Sequence, residues 1–201
     1  IAYSEGARLS NNSWGNSLIP YSAGSAIWDA LVRDADTNQV GRQEFIAFFA
    51  AGNSGNGNDD GGGATANTIG APGNSKNVIT VGAVEQPRRA NNYPGLPTLD
   101  MTDTDWQMAG YSSRGPITPT DPRAKPEIVA PGSYVLSIQS HDTFADDLVT
   151  PNDFSWDYRY DNVNTGTNYA FSVGTSMATP VTTGGGTLGD ILQEWSVRHA
   201  Q

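Results

Sequence analysis

The chain has 201 residues, and 11 lysine and arginine against 21 aspartate and glutamate side chains give it a formal net charge of −10 at pH 7. This acidic balance argues against a nucleic-acid-binding protein, because phosphate contacts require a basic patch, and no apolar run is long enough to cross a membrane. The sequence has no cysteine and two histidines, which excludes disulfides and a cysteine nucleophile and argues against a zinc site.

The N-terminal region predicts a strand followed by a helix. A short strand is predicted within residues 5–15, ending at Gly15, and a helix is predicted over residues 21–36. Apolar residues recur there at the helical period and predict an amphipathic helix. These positions are Ala23, Ala26, Ile27, Ala30 and Leu31.

The next segments predict a sheet with buried strands. Residues 45–51 form a continuous apolar run, which is typical of a parallel strand that is covered on both faces. A glycine-rich loop follows at 52–57, and residues 78–84 predict another β-branched strand. Together with the preceding helix, these strands predict an α/β domain with helices on both faces of the sheet.

The rest of the chain predicts short strands and a final helix. Residues 86–168 predict loops and short β-segments, with short apolar segments at 128–132 and 134–138. Residues 169–173 predict a further strand. Pro180 suits the first turn of the last helix, and a glycine-rich run at 182–186 predicts that this helix packs closely against other backbone. A helical stripe continues it at Leu188, Ile191, Leu192 and Trp195. No linker or repeat interrupts the sequence, so we interpret residues 1–201 as one domain.

Two polar residues stand at positions suited to chemistry. Ser176 follows the strand at 169–173 and begins the last helix, where a nucleophilic serine would be exposed near the positive end of the helix dipole. An ordinary N-cap serine occupies the same kind of position. Asn53 follows the buried strand, where its amide could donate to a developing oxyanion, although a turn asparagine would look the same.

Several motifs occur in an order that resembles the subtilisin-like serine protease family. The motifs cover most of the chain from about residue 5 to residue 190, and their spelling is most similar to that of the larger bacterial alkaline proteases. They are Asn12 to Gly15, Phe49 to Gly55, Gly70 to Gly73, Asn77 to Ala83, Ser112 to Pro116, Lys125 to Gly132, and Gly174 to Pro180.

The resemblance implies a fold, an activity and a set of site residues. The fold is a three-layer αβα arrangement with a mostly parallel sheet, and the activity is hydrolysis of peptide bonds in protein or peptide substrates. Ser176 is implied as the nucleophile, and the Asn53 side chain and the Ser176 backbone N–H as the oxyanion hole. The segment Ser13, Trp14 and Gly15 matches the strand that pairs with the substrate. Ala51, Gly52 and Gly70 match the first specificity pocket, whose floor at Gly70 is open to large apolar side chains.

The sequence departs from the family in lacking two motifs. The triad order in this family is Asp, His, Ser, and neither the Asp-Thr/Ser-Gly nor the His-Gly-Thr-His motif occurs here. The expectation is that both lie upstream of Ile1, that the chain is a catalytic domain truncated at both ends, and that an upstream fragment or a second chain completes the fold. His141 in an acidic loop and His199 near the C-terminus match no family catalytic position.

Two alternatives stay open. Gly174, Ser176 and Ala178 come within one residue of the nucleophile elbow of another hydrolase fold, in which Asp190 and His199 would follow in the required order, but that fold explains none of the other motifs. A chain without a general base is also consistent with an inert remnant or a peptide-binding pseudoprotease.

The resemblance further implies secretion, catalysis without a cofactor, and a structural Ca²⁺. Acidic clusters suit a hard cation, and a solvated acidic surface would give the same composition. The segment Asp34, Asp36 and Asn38 resembles half of a calcium loop without its glycine or final glutamate, and no metal ligand is assigned. The other clusters are Asp59 with Asp60, Asp100 with Asp103 and Asp105, and Asp146 with Asp147.

Overall fold

The computed structural model describes residues 3–16, 20–87, 103–104, 106–138 and 169–187. Within these ranges the chain forms strands β1 to β6 and helices α1 and α2. In chain order they are β1 (Leu9–Asn12), α1 (Ala23–Arg33), β2 (Ile46–Ala50), β3 (Ile79–Val84), β4 (Ile128–Pro131), β5 (Val135–Ile138), β6 (Tyr169–Ser172) and α2 (Thr175–Thr187).

The main sheet is parallel. Its four strands lie in the order β1-β2-β3-β4, and each neighbouring pair is parallel. Every residue of β2 is buried, which confirms the prediction from its unbroken apolar run. Strands β5 and β6 form a separate antiparallel pair, with Val135 opposite Ser172. The α/β class with a mostly parallel sheet is therefore confirmed.

The two helices cover opposite faces of this sheet. Alternate residues of a strand point to opposite faces, and in β2 Phe48 packs in a cluster with Ala178 of α2. The neighbouring residue Phe49 packs in a second cluster with Trp28 and Val32 of α1. The layers are therefore helix, sheet and helix, as the sequence predicts. Neither described helix is long and apolar enough to cross a membrane.

The buried face of α1 differs from the one that the apolar period predicts. Ala23, Ala26 and Ala30 are exposed, and the side chain of Ile27 is 60% exposed. The buried positions include the polar residues Ser25 and Asp29. The prediction was wrong because the face that docks carries Trp28 and Val32 against β2 and Ser25 and Asp29 against a distant turn described below.

Three further predictions need correction or lie outside the described residues. Strand β1 ends at Asn12 rather than Gly15, and Pro180 lies inside α2 rather than in its first turn. A Cβ added at Gly184 or Gly185 would meet no atom within 4 Å in the described part of the chain, so the described residues do not show the close backbone packing predicted at these two glycines. The stripe predicted at residues 188–195 lies outside the described residues.

Candidate active site

The loop that follows β2 presents Asn53 at the surface. Gly52 has a φ of 102°, in the left-handed region that glycine adopts without a steric penalty. The chain therefore turns as soon as it leaves the sheet, and Asn53 is exposed. The Gly52 backbone N–H donates to the hydroxyl of Thr175 at 3.1 Å, which ties this turn to the start of α2.

A second tight turn places Ser176 at the beginning of α2. Gly174 has a φ of 147°, and its N–H donates to the carbonyl of Gly132 at 2.9 Å. Helix α2 starts at Thr175, so Ser176 lies in the first turn, where backbone N–H groups have no intrahelical acceptor. The Ser176 N–H is therefore available to an external oxygen near the positive end of the helix dipole.

Asn53 and Thr175 are locked together. The Thr175 backbone N–H donates to Asn53 Oδ1 at 2.9 Å, and its hydroxyl lies 3.0 Å from the same oxygen. A backbone N–H only donates, so this atom is the amide oxygen and the opposite end of the side chain is the NH₂ group. A Cβ added at Gly174 would lie 3.1 Å from Asn53 Nδ2. The amide donor thus lies directly beside the turn that carries Ser176.

Residues 13–16, which continue the chain after β1, lie beside the Ser176 turn. The Ser176 hydroxyl donates to the carbonyl of Ser13 at 3.1 Å, and the Asn16 N–H donates to the carbonyl of Ala71 at 2.8 Å. Trp14 is 55% exposed, and its ring packs edge-to-face on Phe49 at a centroid distance of 5.3 Å. These two hydrogen bonds and the ring contact hold the backbone of residues 13–16 in place at the surface.

One cavity of about 340 Å³ is lined by Asn53, Thr175, Ser176 and residues 13–16. Every site residue predicted from the sequence lines it: Ser13, Trp14, Gly15, Ala51, Gly52, Asn53, Gly70 and Ser176. Sequence reasoning missed the lining residue Thr175, which holds Asn53. Its position next to Ser176 within the recognised motif was the only signal for it. Asn16, whose N–H donates to the Ala71 carbonyl, also lines the cavity.

A partly buried tyrosine, Tyr111, lies behind the Ser176 turn. The Tyr111 hydroxyl lies 3.3 Å from Ser133 Oγ, and it is close to the backbone of Gly174. Burial raises the pKa of the Tyr111 hydroxyl, despite hydrogen bonds from Ser133 and Gly174 that act in the opposite direction. Tyr111 therefore stays protonated at neutral pH and supports the turn without a charge.

Comparison with known proteins identifies the family. The family model described as "Subtilase family" matches residues 1–194. The chain belongs to the subtilase family. This confirms the resemblance that the sequence motifs indicate.

Its relatives include bacterial and plant proteases. The chain is 32% identical over 156 residues to serine protease AprX of Bacillus subtilis (strain 168), a match that covers 78% of this chain and 28% of AprX. It is 40% identical over 81 residues to subtilisin-like protease SBT4.10 of Arabidopsis thaliana, covering 40% of this chain and 10% of that protein.

A lanthipeptide protease of known crystal structure shares the fold. It covers the whole chain with a TM-score of 0.51 at 19% identity, and the chain covers 51% of it. The subtilase chain therefore spans about half of that structure and 28% of AprX.

The described part of this subtilase chain contains no histidine. His141 and His199 both lie outside the described residues. Nothing within the described ranges is therefore placed to take the proton of Ser176 in the way that a triad histidine does.

The acidic side chains of the described residues are not grouped into a carboxylate-rich metal site. Among them, no three aspartate, glutamate or histidine side chains are grouped so that they could hold a metal ion. Asp36, in the half-loop noted above, accepts hydrogen bonds from Asn38 and Gln39 with its two oxygens. Hydrogen bonds from Gln39 and Asn38 lower the pKa of Asp36. The clusters at Asp100, Asp105, Asp146 and Asp147 lie outside the described residues.

Proposed function

We propose that this chain carries the nucleophile, the oxyanion hole and the substrate strand of a serine endopeptidase. Ser176 Oγ attacks the carbonyl carbon of the scissile peptide bond while a general base removes its proton. The oxyanion that forms is bound by the Ser176 N–H and Asn53 Nδ2. The amine then leaves with the transferred proton, and water releases the acyl group from Ser176 by the reverse sequence.

The observation that carries the proposal is the fixed pair of donors beside the serine. Asn53 Oδ1 is held by the Thr175 N–H at 2.9 Å, so its NH₂ group is oriented before any substrate arrives. The Ser176 N–H lies in the first turn of α2. Donors that are oriented in advance stabilise charge that develops in the transition state, because no reorganisation is needed during the reaction.

The peptide substrate is proposed to lie along Ser13, Trp14 and Gly15. Trp14 and Gly15 are exposed, and a strand-like segment with free backbone groups can pair with an extended peptide. Ala51, Gly52 and Gly70 then form the pocket for the residue before the scissile bond. The absence of a side chain at Gly70 leaves room for a large apolar group, so we expect aromatic residues to be accepted there.

The general base and the aspartate that orients it are proposed to come from outside this chain. The support is that neither the Asp-Thr/Ser-Gly nor the His-Gly-Thr-His motif occurs in the sequence, and that both motifs precede the substrate strand in the family. The isolated chain is then inactive. An upstream segment of the parent protein, or a second chain that carries it, completes the site.

The absence of the family's histidine motif from the sequence also favours a second candidate, a peptide-binding module without catalysis. Such a module would use the same substrate strand and pocket. The two candidates differ in whether the parent protein turns over substrate.

Two properties of the parent protein complete the proposal. It is secreted, which agrees with a cysteine-free, strongly acidic composition and is tested by locating the full-length protein in medium or cells. It binds a structural Ca²⁺ for which no ligand is assigned, and its own catalytic step uses no cofactor. Chelation by EDTA should then lower the melting temperature without altering the chemistry of Ser176.

The function is tested by peptide hydrolysis with the full-length parent protein. A fluorogenic peptide with phenylalanine before the scissile bond should be cleaved, and Ser176→Ala should abolish cleavage while leaving peptide binding intact. Binding without cleavage by the unaltered parent protein would instead support the peptide-binding module.

A further inference from the structure

Two buried polar residues of helix α1, Ser25 and Asp29, contact one turn of the chain. We call residues 70–77 the pocket turn, because Gly70 lines the candidate active-site cavity. We propose that Asp29, assisted by Ser25, is a positioning residue that fixes the pocket turn and thereby sets selectivity for the residue before the scissile bond. The inference rests on the proposed peptidase function for its substrate, and on the geometry below for the anchor itself.

Asp29 binds the far end of the pocket turn. Its Oδ1 accepts hydrogen bonds from the backbone N–H groups of Lys76 and Asn77, each at 2.7 Å. Its Oδ2 accepts the Tyr21 hydroxyl at 2.7 Å, and the Asn77 side chain donates to the Asp29 carbonyl at 2.9 Å. Asp29 is buried, so these bonds to a carboxylate lie where water competes poorly with them.

Ser25 binds the middle of the same turn. Its hydroxyl donates to Asn74 Oδ1 at 2.7 Å, and the Ser75 hydroxyl donates to the Ser25 carbonyl at 3.1 Å. All three residues are fully buried. A buried polar group that loses its partner is strongly unfavourable, so this contact has one preferred geometry.

The pocket turn transmits this position to the cavity. The Asn74 N–H donates to the Gly70 carbonyl at 3.1 Å, which closes the turn onto the residue that lines the pocket. The next residue, Ala71, accepts the Asn16 N–H at 2.8 Å, at the end of the proposed substrate strand. A displacement of residues 74–77 would therefore move both Gly70 and the strand that holds the peptide.

The apolar residues of α1 do not supply this anchor. Ile27 is 60% exposed, and Ala23, Ala26 and Ala30 are exposed as well. Trp28 and Val32 fix the helix against β2, but they are not part of the hydrogen-bonded path to Gly70. The helix can thus keep its place on the sheet while Asp29, with Ser25, fixes where the pocket turn lies.

Steady-state kinetics on the full-length parent protein test the proposal. Two peptides are compared that differ only in phenylalanine or alanine before the scissile bond. Asp29→Ala should lower the ratio of kcat/KM for phenylalanine over alanine by about tenfold, because displacements of about 1 Å have effects of this size or larger. Asp29→Asn keeps an acceptor for Lys76 and Asn77 and should restore most of the ratio. The matched control is Asp36→Asn, whose carboxylate contacts only its own loop and which should leave the ratio unchanged.

Two readouts separate positioning from general damage. Labelling of Ser176 by a small fluorophosphonate should be unchanged within about twofold in Asp29→Ala, because that probe does not need the pocket. Amide hydrogen exchange in residues 70–77 should accelerate at least about tenfold in Asp29→Ala and not in Asp36→Asn. If Asp29→Ala does not fold, Tyr21→Phe removes one of the donors and should shift the ratio and the exchange in the same direction by a smaller factor.

Several results would overturn the inference. An unchanged ratio, equal losses for both peptides, or unchanged exchange in residues 70–77 would each show that Asp29 does not position the pocket. Failure of the proposed peptidase function looks different, since the unaltered parent protein would then cleave neither peptide and would not be labelled. In that case the exchange measurement alone decides whether Asp29 anchors the turn.

Discussion

Thr175 holds the amide oxygen of Asn53 through its backbone N–H at 2.9 Å and its hydroxyl at 3.0 Å, although 122 positions separate the two residues in the chain. Asn53 follows β2, one of the two inner strands of the sheet. Thr175 begins helix α2, which packs on one face of that sheet. Their contact therefore couples the predicted oxyanion donor to the predicted nucleophile, because Ser176 is the next residue. Three predictions follow from this contact.

Replacing Asn53 should impair the chemical step more than substrate binding. Asn53→Ala removes Nδ2 and should lower kcat of the full-length parent protein by about 10²–10³, the range that a subtilisin established for one such donor, with little change in KM. Steady-state kinetics check this. An equal rise in KM at constant kcat would instead mean that Asn53 binds the ground state.

Thr175 should contribute to stability as well as to activity. The Thr175 side chain is buried, and its hydroxyl accepts the Gly52 N–H and donates to Asn53 Oδ1. Thr175→Val leaves the Gly52 N–H without this acceptor and should lower the free energy of unfolding by about 1–3 kcal/mol in urea titrations. Thr175→Ser retains the hydroxyl and should recover most of the loss. Equal stabilities of the valine and serine variants would show that the hydroxyl is not needed.

Replacing Gly174 or Gly184 by alanine should change the stability of the protein in opposite directions. Gly174 has a φ of 147°, and a Cβ there would lie 3.1 Å from Asn53 Nδ2. Gly174→Ala should cost about 1–3 kcal/mol of stability through backbone strain and should reduce activity. The control is Gly184→Ala in α2, where the new Cβ meets no described atom within 4 Å and should gain about 0.5–1 kcal/mol from lower chain entropy in the unfolded state. Thermal unfolding of both variants measures the contrast, and a destabilised Gly184→Ala would contradict it.

Lys125 should make stability depend on pH in the alkaline range. Its Nζ lies 2.7 Å from Glu127 Oε1 with its side chain 1% exposed, and it donates to the Val78 carbonyl. Burial lowers the pKa of Lys125 below its ordinary value of 10.5, although the hydrogen bond and the charge of Glu127 act in the opposite direction. Between the lowered pKa and 10.5 the unfolded chain therefore binds more protons than the folded chain, so this group makes the free energy of unfolding rise with pH.

The matched variant Lys125→Met isolates this effect. Subtracting its free energy of unfolding from that of the unaltered protein removes the titration of all other alkaline groups. The difference should increase with pH below 10.5 and level off once the unfolded lysine is also neutral. A difference that falls over this range would mean that Glu127 raises the pKa of Lys125 more than burial lowers it.

The sheet was predictable because its signal is local. Residues 46–50 are apolar without alternation, and only a strand covered on both faces explains such a run. The docking of α1 was not predictable in this way. Its apolar period pointed to Ala23, Ala26 and Ile27, whereas the buried residues Ser25 and Asp29 bond to a turn about fifty positions away. A periodicity contains no information on such distant partners.

The site residues were identified from the order and the residue identities of the family motifs, rather than from hydrophobic periodicity or other physical patterns in the sequence. Ser176 alone reads as a helix cap, and Asn53 alone reads as a turn residue. Only the fold brings them to one cavity. Thr175 was missed for the same reason, since its contact with Asn53 spans 122 positions.

Activity-dependent labelling tests the central claim most directly. A fluorophosphonate probe reacts with a serine only when a base and an oxyanion hole activate it, and mass spectrometry then locates the adduct. The account predicts an adduct on Ser176 in the full-length parent protein, its loss in Ser176→Ala, and no adduct on the folded isolated chain. No adduct on Ser176 in a folded parent protein would contradict the assignment of the nucleophile, and labelling of the isolated chain would contradict the claim that the base lies outside it.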